Sequence, residues 1–246
     1  MNILVIGEYC TDIFWYGDVN RICPEGPVPI FKPKYKTQNP GMAGNVIENL
    51  KALGVTPDIK YQKSNIQKIR YISDRFNQII VRIDIGDDDV ERIKMSEIDE
   101  KLLASYDMII LSDYNKGFLH EDDIAYIATI NNNVIIDTKK KLGNWCDNLK
   151  FIKLNRHEYN NNLKWIENNP HLNEKLLVTL DKDGCLYNSI IYGVPNVQVE
   201  EITGAGDTFV ATFIYEYLKS ANVVNSIKFA NTCAVSVVQK RGVVTV

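Results

Sequence analysis

Cysteine and histidine are both scarce in this chain. The five cysteines (Cys10, Cys23, Cys146, Cys185 and Cys233) are scattered, odd in number and never in a C-x-x-C pair. That argues against a disulfide framework or a zinc site, and for reduced thiols in a cytoplasmic protein. The three histidines, His120, His157 and His171, lack the spacing of metal ligands and are expected on the surface or in loops. No window approaches the ~18 apolar residues that a spanning helix needs. The opening residues 1–7 have no basic lead-in, so they read as a buried strand ending at Gly7 rather than as a signal peptide. Runs of like charge are missing too; the nearest, Lys139-Lys140-Lys141, is expected to be a solvated helix edge. With 28 basic residues against 31 acidic ones there is no basic footprint, and neither nucleic acid nor a membrane is an expected partner.

What is present is ordinary globular composition, 45% hydrophobic and 24% charged over 246 residues, enough for one α/β domain spanning residues 1–246. Short apolar runs at 3–6, 108–111, 134–136, 151–154 and 176–179 alternate with helical stretches, the pattern of parallel β-α-β construction. Each run ends on a polar residue or glycine: Gly7, Ser112-Asp113, Asp137, Asn155 and Thr179. In an open parallel sheet ligands bind beyond the carboxyl ends of the strands, so a polar site along one rim is expected. Any single Asp or Asn there could equally cap the next helix.

Two stretches break this rhythm. Residues 28–35 alternate like a strand, with prolines that confine it to an edge, and residues 69–73 and 79–85 flank a polar turn as a hairpin does. Together they predict a small antiparallel sheet, from about 13–35 and 68–85, lying outside the main layer as a substrate lid or a dimer surface. The asparagine runs 131–133 and 160–162 are expected in loops.

The sharpest segment is Thr203-Gly204-Ala205-Gly206-Asp207-Thr208, which opens an apolar helix. Two glycines around an alanine let backbone N–H groups converge, and with the helix dipole they form a cradle for a phosphoryl group. A carboxylate beside that cradle, Asp207, suits the general base that accepts a hydroxyl proton as the oxygen attacks phosphorus. The plainer reading is that Asp207 caps its helix.

This string resembles the second signature of the ribokinase-like (PfkB) carbohydrate kinases, and Pro40-Gly41-Met42-Ala43-Gly44-Asn45 is similar to their first. Residues 12–29, Lys68-Ile69-Arg70, Arg82-Ile83-Asp84, residues 111–117, Asp137-Thr138-Lys139 and Asn155-Arg156-His157-Glu158 resemble, as a set, the family members that phosphorylate D-glycero-D-manno-heptose 7-phosphate at its anomeric hydroxyl. The resemblance implies a three-layer α/β sandwich with a mostly parallel central sheet and a small β lid. It implies ATP and Mg²⁺ as cofactors and a homodimer formed through the lid. It also implies roles: Asp207 as base with Gly204, Ala205 and Gly206 as anion cradle; Asn155, Glu158, Thr179, Gly184 and Thr203 around the nucleotide; and Glu158 holding Mg²⁺ through water. Asp12, Gly41 and Asn45 would grip the sugar. Lys68, Arg70 and Arg82 would meet its phosphate, unless they simply occupy an exposed strand face.

The chain departs from the family at several points. Only residues 55–67 stand where a strand, a helix and a Gly-x-Asp-x-x-Gly turn are usual. Met42 replaces a glycine of the first signature, Asp181 replaces a glycine of the nucleotide loop, and Glu201 stands where Asp is common. Nor do 246 residues leave room for the nucleotidyltransferase domain fused to some heptose kinases. A kinase for another sugar, or a catalytically silent sugar-binding member, therefore stays open at this level.

Overall fold

In the computed structural model, which describes residues 1–240 and 242–246, all five apolar runs are strands. The elements in chain order are β1 (Ile3–Gly7), β2 (Tyr9–Ile22), β3 (Pro29–Met42), α1 (Ala43–Ala52), β4 (Asp58–Lys60), β5 (Ile66–Ser73), β6 (Gln78–Ile85) and α2 (Glu100–Ala104). Next come β7 (Met108–Asp113), α3 (Glu121–Ile130), β8 (Val134–Thr138), β9 (Phe151–Asn155), α4 (Arg156–Asn168) and β10 (Leu176–Thr179). The chain closes with β11 (Cys185–Tyr187), β12 (Ile190–Tyr192), α5 (Ala205–Ser220) and α6 (Val223–Val238).

The main sheet has the order β12-β11-β10-β9-β8-β7-β1-β4, parallel from β10 to β4 and antiparallel at the β11–β12 edge. Its parallel strands are apolar along their length because both faces are covered. Alternate residues divide between two cores: Ile109, Leu111 and Ile136 pack toward α3, while Met108, Ile110 and Ile135 pack toward α1, α5 and α6. Three layers result. Chain order reverses at β1, which lies between β4 and the later β7, so a crevice opens beyond the carboxyl ends of β1 and β7. There a Cβ on Gly7 would lie 2.0 Å from the Ser112 carbonyl oxygen, so only glycine admits this approach.

The second sheet, ordered β3-β2-β5-β6, hangs from the end of β1 over that crevice. It is longer than the sequence suggests, and it is mixed rather than antiparallel. β2–β3 and β5–β6 are antiparallel, whereas β2 and β5 run parallel, from Cys10 opposite Ile66 to Gly17 opposite Ser73. The reason is connection: α1 and β4 intervene between β3 and β5, and a crossover of that length returns the chain in the original direction. The proline-bearing β3 is an edge strand, as expected.

Two local expectations fail. Asn160–162 lie within α4, where the Asn162 side chain accepts from the Leu142 N–H (2.8 Å) and donates to the Glu158 carbonyl (2.8 Å), supplying the polar partners a loop would have given. Lys139–141 form a loop after β8, not a helix edge, and Lys140 turns inward onto the buried carboxylate of Asp113 at 2.8 Å. The three histidines are exposed and the five thiols are free. Among the described residues no helix is long and apolar enough to cross a membrane.

Candidate active site

Three groups of side chains gather along the carboxyl-end rim of the main sheet, from β1 to β10. The first surrounds Asp207, in the opening turn of α5. Gly204 enters that helix in the left-handed region (φ 86°), which favours glycine. No side chain caps the α5 N-terminus, unlike α2, α4 and α6, whose first turns bond to Asp99, Asn155 and Asn222. The Ala205 N–H bonds the Ile202 carbonyl at 3.3 Å, which leaves the N–H groups of Gly206 and Asp207 to face an anion. Asn45, from α1, donates its amide to the Gly204 carbonyl (3.2 Å) and to Oδ2 of Asp207 (3.1 Å). Tyr114 donates its hydroxyl to Oδ1 of the same carboxylate at 2.8 Å. Asp207 is buried, which pushes its carboxyl up to about 6; nearby Asp137 adds to the rise, while the two hydrogen bonds and Lys153 oppose it.

Lys153 and Asp137 form the floor of this group. Lys153, in β9, is a lysine inside an otherwise apolar buried strand. Its ammonium bonds both oxygens of Asp137, at 2.9 and 3.1 Å. A Cβ on Gly206 would stand 2.8 Å from that ammonium, so the second glycine of the turn leaves room for a cation beneath the helix start. The Asp137 carboxylate, near the end of β8, pairs with this lysine and is not the N-cap of a described helix.

The second group lines the inner face of the small sheet. Asp12 (β2) and Arg70 (β5) are a buried ion pair at 2.5 Å, and Lys68 is buried on the same face with its ammonium 5.1 Å from the Tyr114 ring centre. Among the described residues Lys68 has no ion-pair partner, and burial lowers its pKa below the ordinary lysine value. The exposed-face alternative for Lys68 and Arg70 is thereby excluded. Arg82 does lie exposed, paired to Asp84 at 2.7 Å. Gly41 admits this cluster, since a Cβ there would lie 2.0 Å from Oδ2 of Asp12. Met42 takes the glycine-like backbone its position requires, φ 55° and ψ −130°, and buries its side chain against Cys10 and Ile66.

The third group sits at the ends of β9 and β10. Asn155 caps α4 by accepting from the Glu158 N–H (2.9 Å), and Glu158 reciprocates by accepting from the Asn155 N–H (2.7 Å). This capping box uses one Glu158 oxygen. Burial, and then the neighbouring Asp137, raises the Glu158 carboxyl above its ordinary value. Gly184 has φ 93° and no space for a Cβ, which would meet the Tyr192 carbonyl at 2.1 Å. Asp181 adopts positive φ, and its side chain points outward, 77% exposed and 3.5 Å from Arg156. That orientation removes the repulsion a carboxylate would cause in a phosphate loop. Thr203 is held by Glu201, which accepts from both its N–H and its hydroxyl.

Gly204, Ala205, Gly206, Asp207 and Asn45 thus form one unit, and Asp12, Gly41, Lys68 and Arg70 a second. Lys153 connects the first to the third, its charge felt by Asp207 and Glu158 alike. Sequence reading missed Lys153 and Tyr114 as site members. A lone charge inside a buried strand was the available signal for Lys153; Tyr114 lay within the 111–117 stretch that carries the resemblance, but no role was read for it.

The pfkB family carbohydrate kinase profile matches residues 45–246. The chain belongs to this family. A bifunctional protein HldE of Aliarcobacter butzleri is 30% identical over 99% of this chain and 62% of its own length, and one of Shewanella baltica is 28% identical over 99% and 61%. The chain spans about three-fifths of the length of these curated relatives. Among solved structures, ribokinase of Thermotoga maritima superposes with a TM-score of 0.74 at 17% identity, covering 99% of this chain and 94% of that one. Arabidopsis thaliana ribokinase complexed with ribose and ATP gives 0.70 at 16%, covering 98% and 94%. The fold of this pfkB member is ribokinase-like.

Proposed function

We propose that residues 1–246 act as one kinase domain that transfers the γ-phosphoryl group of ATP, with Mg²⁺, to the anomeric hydroxyl of D-glycero-D-manno-heptose 7-phosphate. The product would be the 1,7-bisphosphate used for nucleotide-heptose synthesis in the cytoplasm. The observation that carries the reaction is the buried Asp207 carboxylate beside an uncapped helix start. Asp207 accepts the hydroxyl proton while that oxygen forms its bond to phosphorus and the bond to the bridging oxygen of ADP breaks. Gly204 and Gly206 admit the Asn45 amide and the Lys153 ammonium, and the Gly204-Ala205-Gly206 turn would present phosphoryl oxygens to the N–H groups at the start of α5 with the Lys153 charge below. Asn45 holds the base.

The residues fit the nucleotide and its cation. Glu158 and Asp137 are close enough to raise the Glu158 carboxyl, and a hard divalent ion near two such carboxylates relieves that repulsion. Glu158 would hold Mg²⁺ through water, and the metal would supply charge neutralisation of the transferred group. Asn155, Thr179, Gly184 and Thr203 would line the nucleotide path. On the sugar side Asp12, Gly41 and Asn45 present polar atoms to hydroxyls. The choice of a phosphorylated sugar rests on Lys68, a buried ammonium without a carboxylate partner, with Arg70 and Arg82 near it, and on the names of the curated relatives.

We further propose a homodimer through the small sheet. Its outer face carries Val81, Ile83 and Ile85, 42–47% exposed, with Tyr71 and Ile69 opposite the first two across the β5–β6 ladder. A second reading, a kinase for another sugar, is favoured by the three-residue β4, which shortens the sheet edge beside the site. A purified-protein assay comparing heptose 7-phosphate with ribose, fructose and fructose phosphates separates the two. Turnover of the heptose above the others is expected, and its absence would remove the substrate assignment. Absence of any sugar-dependent ATP consumption would instead favour a silent sugar-binding protein.

A further inference from the structure

The least explained contact in the site is the one between Tyr114 and Asp207. We propose that Tyr114 is a positioning residue for proton transfer: its hydroxyl pins Oδ1 of Asp207 while the Asn45 amide pins Oδ2, so the carboxylate presents one fixed orientation to an attacking hydroxyl. This rests on the reading of Asp207 as general base.

The segment after β7 is built to hold that tyrosine still. Glu8, a fully buried carboxylate just past β1, accepts three backbone N–H groups in turn, from Tyr114 (2.8 Å), Lys116 (3.1 Å) and Phe118 (3.2 Å). Asn115 takes φ 57°, and its N–H bonds the buried Asp113 carboxylate at 3.1 Å, fixing the turn from the other side. A buried carboxylate is costly unless its lone pairs are used, and Glu8 uses them to anchor this loop. Two ammonium groups then face the ring: Lys139, from the loop after β8, at 4.5 Å, and Lys68, from the small sheet, at 5.1 Å. Tyr114 thus joins the sugar-side sheet to the base. Its hydroxyl remains a donor throughout the working range, because burial and the adjacent carboxylates hold its ionisation well above the ordinary tyrosine value.

The groups acting on Asp207 come from every side. Asp137 (β8) and burial favour its protonated form; Lys153 (β9), Asn45 (α1) and Tyr114 favour the carboxylate. Cys10 (β2) also senses the Asp207 charge, but its thiol is pushed up to about 12 and stays neutral. Removing the Tyr114 hydroxyl therefore has a signed consequence: Asp207 must hold its proton to higher pH.

The test is Tyr114→Phe in the full chain, which keeps the ring and both ammonium contacts. Expected are a kcat lower by about 10- to 100-fold, a largely unchanged KM for the sugar, and an acid limb of kcat/KM moved up by about one pH unit. The ¹³Cγ resonance of Asp207, titrated without substrate, should show the same upward shift. An unmoved carboxyl titration would overturn the proposal, whatever the activity. Should the wild type phosphorylate no sugar, the kinase reading fails on its own while the titration still reports the Tyr114 bond. If Tyr114→Phe does not fold, 3-fluorotyrosine at position 114 keeps the shape and donates more strongly. It should lower the Asp207 midpoint, and no change there would equally overturn the proposal.

Discussion

The two sheets of this protein invert each other's use of polarity. In the main sheet β7 and β8 bury apolar side chains on both faces, and charge is confined to the strand ends and to Lys153. In the small sheet β5 buries Lys68 and Arg70 toward the crevice, while β6 leaves Val81, Ile83 and Ile85 exposed on the other side. The small sheet keeps two minor apolar clusters, Cys10 with Met42 and Ile66 and Phe14 with Tyr16 and Ile72, but beside them it turns charge inward and leaves hydrocarbon outside. Its inner face suits a polar ligand, and its outer face suits another protein surface. The main sheet sets where the chemistry sits; the small sheet closes over it.

The comparison breaks most decisively at Asp207. Asp207→Asn should cost about 10²- to 10⁴-fold in kcat, read as sugar-dependent ATP consumption, with the fold retained. The wild type should lose activity as pH falls below about 6, where the raised carboxyl takes up its proton. The same shift has an opposite sign for stability. Because the folded state binds that proton more tightly than the unfolded chain, the Asp207 contribution is complete below pH about 4 and is lost as pH rises through about 6.

Next come the sheets themselves. Ile110→Ala, at a fully buried position of β7, should lower stability by about 2–5 kcal/mol in denaturant unfolding. Arg70→Ala sharpens the contrast, because it strands the buried Asp12 carboxylate on the sugar side. It should raise the sugar KM by about tenfold or more, with the KM for ATP nearly unchanged. The smallest effect on the folded chain belongs to Ile83→Ala: about 0.5 kcal/mol or less, since the side chain is already exposed. Ile83→Asp should nonetheless shift sedimentation toward monomer. A dimer unaffected by that change would place the contact elsewhere.

Much of the fold was legible because burial on two faces leaves continuous apolar runs, and such runs mark strands without help from distant residues. The helix start at 204–207 was legible for a related reason, as glycine at positive φ and an adjacent carboxylate are local requirements. The parallel pairing of β2 with β5 was not, since it depends on what the chain does between them. Asn160–162 misled because a run of asparagines favours loops locally, while the partners of Asn162 on Leu142 and Glu158 favour the helix. Lys139–141 misled for the same reason, the pull of the buried Asp113 being invisible in the run itself.

The linear order of residues was sufficient for the strand positions, the glycine turn and the identity of the acid beside it, because each follows from period, backbone freedom or chemistry within a few residues. Folding in three dimensions decided which groups surround that acid. Asn45, Tyr114, Asp137 and Lys153 come from four separate elements, and their effect on Asp207 falls off with distance in space. Only the packed sheet brings them within reach, and there burial, with Asp137, pushes the Asp207 carboxyl up to about 6 against the pull of the other three.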